Sequence, residues 1–202
     1  MITLYHSPRS RSVRVFWLLE ELGLPYELKT VEFTPESLKG PEYLKVHPLG
    51  KVPALQDDGV TMFESGAIVE YLLEKYGKGR LAPAPGTTAR APFLQWVHFG
   101  EATALPPLAD IVQHTFLRPE AERIPAIADD GRARMAGVLD VLDKSLAGKQ
   151  YLLGDEFTAA DVMVGYALYL AKMLGLLSDK HPNLLAYMGR LEKRPAFQKA
   201  TA

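Results

Sequence analysis

The pattern of hydrophobic residues changes near residue 80, and this change favours a mixed α/β part followed by a helical part. Before it, residues 2–5 and 26–33 have the short apolar or alternating pattern of strands, and residues 12–22 between them repeat apolar side chains at helical spacing. A strand, a helix and a strand joined by short links predict a parallel βαβ unit. Two more apolar runs flank Asp58-Gly59, a dipeptide typical of hairpin turns, and residues 65–77 have a helical pattern.

The second part of the chain begins after a segment, residues 77–92, that is rich in glycine, proline and alanine, as linkers are. Beyond it, apolar residues recur only at helical spacing. Thr158 and Asp161 have the spacing of a capping box, which we interpret as the start of a core helix. The sequence therefore predicts a small α/β domain at residues 1–78, a linker at 79–88 and an all-helical domain at 89–202.

Composition excludes several classes of chemistry. The chain has no cysteine, so disulfides, thiolate metal sites and a cysteine nucleophile are absent. A net charge of −1 gives no reason to expect nucleic acid or a membrane surface as partner. The sequence begins without the apolar core of a signal peptide, and no apolar run approaches the roughly 18 residues of a membrane span, so we expect a cytoplasmic protein. The five histidines lack ligand-like spacing, and we expect no bound metal.

Two features of residues 51–68 are unusual for a strand and the helix that follows it. Pro53 stands inside an apolar run, although proline has no N–H to give to a sheet. Glu64 and Ser65 stand where the next helix should begin, and they could simply form a cap. Together, on one short unit, they suggest a backbone that holds a ligand.

The order of four segments resembles the cytosolic glutathione transferase family, and the resemblance covers nearly the whole chain. The segments are LYHSPRSRSVRVFWLLEELGLPYE, PEYLKVHPLGKVPAL, FESGAIVEYL and FTAADV. The resemblance is to serine-based bacterial members that lack a catalytic cysteine. It implies a thioredoxin-like first domain that binds glutathione and a helical second domain that supplies most of the pocket for a hydrophobic co-substrate. It implies glutathione as co-substrate and no cofactor.

The resemblance also implies residues for the glutathione site. The Val52–Pro53 peptide bond should be cis, which turns the N–H and C=O of Val52 towards the cysteine part of glutathione. The start of the helix at Ser65 suits the γ-glutamyl carboxylate, and Glu64 suits its ammonium group. Two further polar contacts are expected from lysines, namely Lys39 and Lys51.

The residue that activates the glutathione sulfur should lie in or near the segment SPRSRS. Ser10 is our first choice, since it matches the serine of bacterial and fungal members when residues are counted back from Gly23. Ser12 and Tyr5 remain alternatives, and Ser7 is expected to be a turn residue.

Three arginines lie in this segment or just after it: Arg9, Arg11 and Arg14. They are either solvated surface charges or the source of a positive field that holds the thiolate. Because the chain has no cysteine near Arg11, mixed-disulfide chemistry through the enzyme's own thiol is excluded.

The function implied by the resemblance is conjugation of the glutathione thiolate to small apolar electrophiles by a homodimer. Four aromatic or polar residues of the helical part are candidates for the electrophile pocket: Phe99, Thr103, Phe116 and Tyr166. Other possibilities are glutathione-dependent reduction of disulfides or peroxides, zeta-class isomerase chemistry, non-catalytic ligand binding and a role in protein assembly. The first of these needs no protein cysteine, since two glutathione molecules supply both thiols.

Overall fold

The computed structural model describes all residues, 1–202, and they form two compact units. The first contains residues 1–81 together with 193–202, and the second contains residues 82–192. The sequence pattern predicts one helical domain over residues 89–202. The last helix joins the first unit instead, because the ring of Phe197 packs edge-on against Trp17, with the ring centroids 4.8 Å apart.

The first unit has the α/β order that the sequence predicts. Its strands are β1 (Ile2–His6), β2 (Tyr26–Thr30), β3 (Ala54–Asp57) and β4 (Val60–Phe63). They form one sheet in the order β2-β1-β3-β4, in which β1 and β2 are parallel and the other pairs are antiparallel. The βαβ unit and the hairpin are thus confirmed, and the whole has the thioredoxin-like arrangement expected from the resemblance.

Five helices belong to this unit: α1 (Ser12–Leu22), α2 (Pro35–Leu38), α3 (Pro41–Leu44), α4 (Ser65–Tyr76) and α10 (Pro195–Thr201). Helix α1 is buried along almost its entire first half, and it packs against β1, α4 and α10. Gly23 ends it in the left-handed conformation, with φ 64°, which suits glycine because it has no Cβ. The end of β1 and the starts of α1 and α4 are therefore fixed by one apolar core.

The second unit is helical, as predicted. It consists of α5 (Arg90–His98), α6 (Leu105–Val112), α7 (Pro125–Ser145), α8 (Ala159–Met173) and α9 (Pro182–Leu191). The capping box is present, since Asp161 and Thr158 bond each other's backbone at the start of α8. No helix of the chain combines the length and apolar character needed to cross a membrane.

Two π-helical turns interrupt the second unit, and the sequence analysis did not anticipate them. They span Phe99–Thr103 and Gln113–Leu117, on either side of α6. Gly100 lies in the first turn against the backbone of α8, where a Cβ would come within 2.9 Å of the carbonyl carbon of Met163. Glycine at this position therefore allows the π-helical turn to approach the backbone of α8 more closely than a larger residue would.

Candidate functional site

The start of α4 carries the acidic residue and the hydroxyl that the sequence analysis singled out. Glu64 precedes the helix with φ 74° and ψ 106°, a region that side-chain-bearing residues rarely occupy. Its side chain is exposed and makes no capping hydrogen bond, while Ser65 is buried. The first N–H groups of an α-helix have no partner within the helix and favour anions. This helix start can therefore receive a carboxylate beside an exposed acidic side chain.

A buried arginine positions the hydroxyl of Ser65. Arg14 on α1 is fully buried, and its Nη1 donates a hydrogen bond to Ser65 Oγ over 3.2 Å. Because the guanidinium uses Ser65 as an acceptor, the hydroxyl proton of Ser65 can be donated to a ligand. Arg9 and Arg11 are exposed, so the three arginines differ in their environment.

The Val52–Pro53 peptide bond is cis, as the sequence analysis expected. It directly precedes β3, and Val52 is buried. The preceding carbonyl, that of Lys51, accepts a hydrogen bond of 2.6 Å from the hydroxyl of Tyr43. The aromatic residue thus holds the backbone immediately before the cis bond.

His47, a histidine outside the predicted site, is close enough to Glu64, Lys51 and Lys39 for their charges to act on it. Burial lowers the pKa of His47; the carboxylate of Glu64 raises it, and the charges of Lys51 and Lys39 lower it. The ring of His47 lies 4.7 Å from that of Phe63, and its Nδ1 accepts the N–H of Leu49. The charges of three predicted glutathione contacts therefore act on His47.

Lys39 is exposed, and its Nζ donates to the carbonyl oxygen of Leu49 over 2.7 Å. Lys51 is exposed as well. Both ammonium groups are therefore accessible to an anionic ligand.

The serines between β1 and α1 differ sharply in exposure. Ser12 is fully buried, whereas Ser10 is half-buried. Ser10 Oγ donates to the carbonyl of Ser7 over 2.7 Å, accepts the N–H of Ser12, and lies 2.7 Å from Ser12 Oγ. Ser10 thus caps the entrance to α1 and still reaches the surface.

The hydroxyls of Ser7 and Tyr5 form hydrogen bonds away from the start of α1. The hydroxyl of Ser7 donates to the carbonyl of Val31, which makes Ser7 the loop residue that the sequence analysis expected. The hydroxyl of Tyr5 donates to Gln56 Oε1 on the neighbouring strand over 3.1 Å. Among the four hydroxyls, that of Ser10 best combines exposure with a helix start.

Comparison with known proteins agrees with this geometry. Residues 1–74 match the model of the glutathione S-transferase N-terminal domain, and residues 125–190 match that of the C-terminal domain. Glutathione S-transferase 3 of Schizosaccharomyces pombe is 33% identical over 99% of this chain and 86% of its own length. The glutathione S-transferase GstB of Escherichia coli is 33% identical over 98% of this chain and 97% of its own length.

The chain belongs to the glutathione S-transferase family.

A solved structure shows how closely the fold follows this family. A glutathione transferase of Phanerochaete chrysosporium, crystallised in complex with oxidized glutathione, superposes with a TM-score of 0.87. It is 32% identical, and the match covers 98% of this chain and 94% of that one. The bipartite fold of the glutathione S-transferases is therefore present over nearly the full length of the chain.

The four residues predicted for the co-substrate pocket of this glutathione S-transferase lie in different environments of the second unit. Phe99 and Thr103 belong to the first π-helical turn, and the ring of Phe99 lies 5.1 Å from that of Trp96. Phe116 belongs to the second turn and is 58% exposed. Tyr166 is only 3% exposed on α8. The electrophile pocket itself stays a prediction.

Sequence reasoning missed the individual roles of three residues near the candidate site: His6, Arg14 and His47. Arg14 could have been distinguished from its neighbours, since it stands between two valines of the apolar stripe of α1. The two histidines gave no signal, because their partners Ser12 and Phe63 are identified only by the folded chain.

Proposed function

We propose that this protein conjugates the thiolate of glutathione to small, largely apolar electrophiles. The observation that carries the proposal is the half-buried Ser10 hydroxyl at the start of α1, in a chain that has no thiol of its own. The thiol must then come from the ligand, and a hydroxyl at a helix start is suited to stabilise its anion. Membership of the glutathione S-transferase family supports glutathione as that ligand.

Each part of glutathione has a candidate partner. The Ser65 hydroxyl and the N–H groups at the start of α4 donate hydrogen bonds to the γ-glutamyl carboxylate, and Glu64 accepts hydrogen bonds from the ammonium group. Val52 pairs with the cysteine part through its backbone, beside the cis bond at Pro53. The carboxylate of the glycine part binds the ammonium groups of Lys39 and Lys51.

The helix start and the Ser10 hydrogen bond together can supply the free energy that is needed to lower the thiol pKa. Lowering a thiol pKa from about 8.5 to about 6.5 requires roughly 2.7 kcal/mol of preferential thiolate stabilisation. A helix N-terminus contributes about 0.3–1 kcal/mol, and up to about 2 when partly buried. A hydrogen bond to a charged acceptor contributes about 1.5–3 kcal/mol. Donation by Ser10 at the start of α1 combines both, and the thiolate then attacks the electrophile.

For the electrophile we propose a pocket that draws on aromatic and polar residues of the helical unit. Its candidates remain Phe99, Thr103, Phe116 and Tyr166. Among them, the exposed ring of Phe116 offers the largest free apolar surface for a small aromatic compound.

A second function is supported by one relative. The Phanerochaete protein was crystallised with oxidized glutathione, the disulfide that forms when two glutathione molecules reduce a substrate. Reduction of a disulfide or peroxide by two glutathione molecules would use the same Ser10 hydroxyl to stabilise the attacking thiolate. The products, conjugate or oxidized glutathione, distinguish the two reactions.

The decisive experiment is an activity panel with glutathione against aryl halides, enones, peroxides and mixed disulfides, with Ser10→Ala as the matched control. Glutathione conjugates formed faster by the wild type than by the variant would support the first function. Oxidized glutathione without conjugates would support the second. Failure to bind immobilised glutathione, with no activity on any substrate, would refute both. Light scattering after gel filtration tests the homodimer that we propose from the family resemblance.

A further inference from the structure

His6 is a buried histidine that the proposed mechanism does not yet use. It ends β1, is 5% exposed, and lies edge-on to Phe16, with the ring centroids 5.2 Å apart. Burial lowers its pKa to about 4, so the ring is neutral at neutral pH. A neutral imidazole carries one proton, and the nitrogen that holds it is a donor while the other is an acceptor.

A continuous hydrogen-bond path joins this ring to the half-buried hydroxyl. His6 Nδ1 lies 2.8 Å from Ser12 Oγ, and Ser12 Oγ lies 2.7 Å from Ser10 Oγ. The path therefore runs from the core, through a fully buried hydroxyl, to the hydroxyl proposed to face the glutathione sulfur.

The number of hydrogen bonds that Ser12 Oγ can accept limits the directions in which the hydrogen bonds of this path can run. A serine oxygen has one proton to give and two lone pairs. The N–H of Ser7 already donates to Ser12 Oγ over 3.1 Å, which occupies one lone pair. The other can accept from His6 or from Ser10, but not from both.

Two arrangements satisfy this count. If His6 Nδ1 carries the proton and donates to Ser12, both lone pairs of Ser12 are filled, and its own proton goes to Ser10 Oγ or to the carbonyl of Ser7, 3.1 Å away. The proton of Ser10 then bonds the carbonyl of Ser7, 2.7 Å away, until a ligand acceptor replaces that carbonyl. If Nδ1 is unprotonated, Ser12 donates to the ring and accepts from Ser10, whose proton then points into the protein. In the second arrangement Ser12 Oγ competes with a sulfur atom for the proton of Ser10, whereas in the first arrangement Ser12 Oγ cannot accept that proton.

We infer that His6 is a positioning residue whose Nδ1–H tautomer, acting through Ser12, directs the Ser10 hydroxyl proton towards the glutathione sulfur. This inference rests on the proposed function, in which Ser10 contacts that sulfur. No covalent bond changes and no proton leaves its atom, because the two hydroxyls only rotate. The ring lies within hydrogen-bond distance of Ser12 Oγ through Nδ1, and only the Nδ1–H tautomer makes the ring the donor in that bond.

The hydrogen-bond path also makes the hydroxyl of Ser10 a stronger donor. Hydrogen bonds that run in one direction polarise one another, so a hydroxyl that accepts from a donor becomes a better donor itself. Ser10 Oγ accepts both from Ser12 Oγ and from the N–H of Ser12 in this arrangement. The thiolate favours this arrangement because it is an acceptor only.

The test compares His6→Phe, which keeps the ring shape but removes the donor, with His6→Asn, whose amide N–H can replace Nδ1–H. The readout is the ultraviolet absorbance of the thiolate of bound glutathione, titrated against pH. We expect His6→Phe to raise the thiol pKa by about 0.5–1, equivalent to a roughly three- to tenfold lower conjugation rate at neutral pH. His6→Asn should return most of this change. Affinity for S-methylglutathione, which has no thiol, should be equal in all three proteins.

A double variant tests whether the effect passes through Ser12. If it does, His6→Phe should change the thiol pKa in the wild type but not in the Ser12→Ala background. Equal changes of the thiol pKa in both backgrounds would show that the effect of His6 does not pass through Ser12, and this result would overturn the inference. An unchanged thiol pKa in His6→Phe, while Ser10→Ala raises it, would overturn the inference and leave the proposed function standing. An unchanged pKa in Ser10→Ala itself would overturn both.

Discussion

The guanidinium of Arg14 donates a hydrogen bond to the hydroxyl of Ser65 over 3.2 Å, and both side chains are buried. The contact joins the first turns of α1 and α4, which are 51 residues apart in the chain. A buried arginine is costly unless its protons find acceptors. The bond therefore orients Ser65 before any ligand binds, and it leaves the serine proton free for a ligand carboxylate.

We expect Ser65→Ala to weaken glutathione binding by about 1.5–3 kcal/mol, the range for a hydrogen bond to a charged group. Calorimetric titration measures the affinity directly. Arg14→Met, of similar length, should weaken binding as well, and the two effects should be less than additive, because the arginine acts partly through the serine. Unchanged affinity in Ser65→Ala would exclude this hydroxyl from the glutathione site.

Replacement of Glu64 by glycine should increase the stability of the fold and weaken glutathione binding. Its φ of 74° suits glycine, and a side-chain-bearing residue in such a region costs about 1–3 kcal/mol. Glu64→Gly should therefore raise the free energy of unfolding in urea while it weakens glutathione binding. Glu64→Ala should weaken binding by about 1.5–3 kcal/mol without the gain in stability. Tight glutathione binding by Glu64→Gly would contradict the role of this carboxylate.

Removal of the Ser10 hydroxyl should raise the pKa of the bound thiol. Loss of one donor removes about 1.5–3 kcal/mol of thiolate stabilisation, which corresponds to a rise of roughly one to two in pKa. The conjugation rate of Ser10→Ala at neutral pH should fall roughly ten- to a hundredfold and recover in part towards pH 9. Tyr5→Phe serves as the control, since its hydroxyl bonds Gln56. A larger rise in that variant would move the sulfur contact to Tyr5.

Asp161→Ala should damage folding rather than chemistry. Its carboxylate accepts four hydrogen bonds, from the N–H groups of Leu152 and Thr158 and from the hydroxyls of Thr158 and Tyr187. A lost cap costs about 0.5–2 kcal/mol, and each donor left buried without a partner adds about 1–3. We expect a markedly lower melting temperature with normal turnover per folded molecule. Normal stability with lost turnover would instead indicate a catalytic role.

His6 should make the protein less stable in mild acid. Burial lowers its pKa from 6.5 to about 4, so between these values the unfolded chain binds more protons than the folded one. Stability contributed by the neutral ring is complete above pH 6.5 and is lost as the pH falls towards 4. At pH 5 the loss is about 2 kcal/mol. Urea unfolding of His6→Phe should lack this part of the pH dependence, and an identical profile would refute the neutral buried ring.

The sequence by itself determined the local elements, because their causes lie within a few residues. Apolar spacing located α1 and α4, Asp58-Gly59 located the hairpin, and Thr158 with Asp161 located the start of α8. Local sequence patterns predicted the ends of elements less accurately, because these ends depend on the surrounding tertiary structure. The strand predicted at residues 26–33 ends at Thr30, and two short helices, α2 and α3, follow it. The family resemblance supplied the cis bond at Pro53, which composition could not.

Only the tertiary structure decided which polar side chains face one another. Arg9, Arg11 and Arg14 are equivalent in charge, yet only Arg14 is buried, because α1 turns that position towards α4. Similarly, Ser10 and Ser12 differ in sequence by two positions, but the helix start buries one beside His6 and leaves the other half-exposed. The last helix joins the first unit through Arg194, whose guanidinium bonds Glu21 at 2.7 Å across 173 residues. The physical reason is that burial and hydrogen-bond partners depend on elements far away in sequence, whereas propensity and capping depend on neighbours.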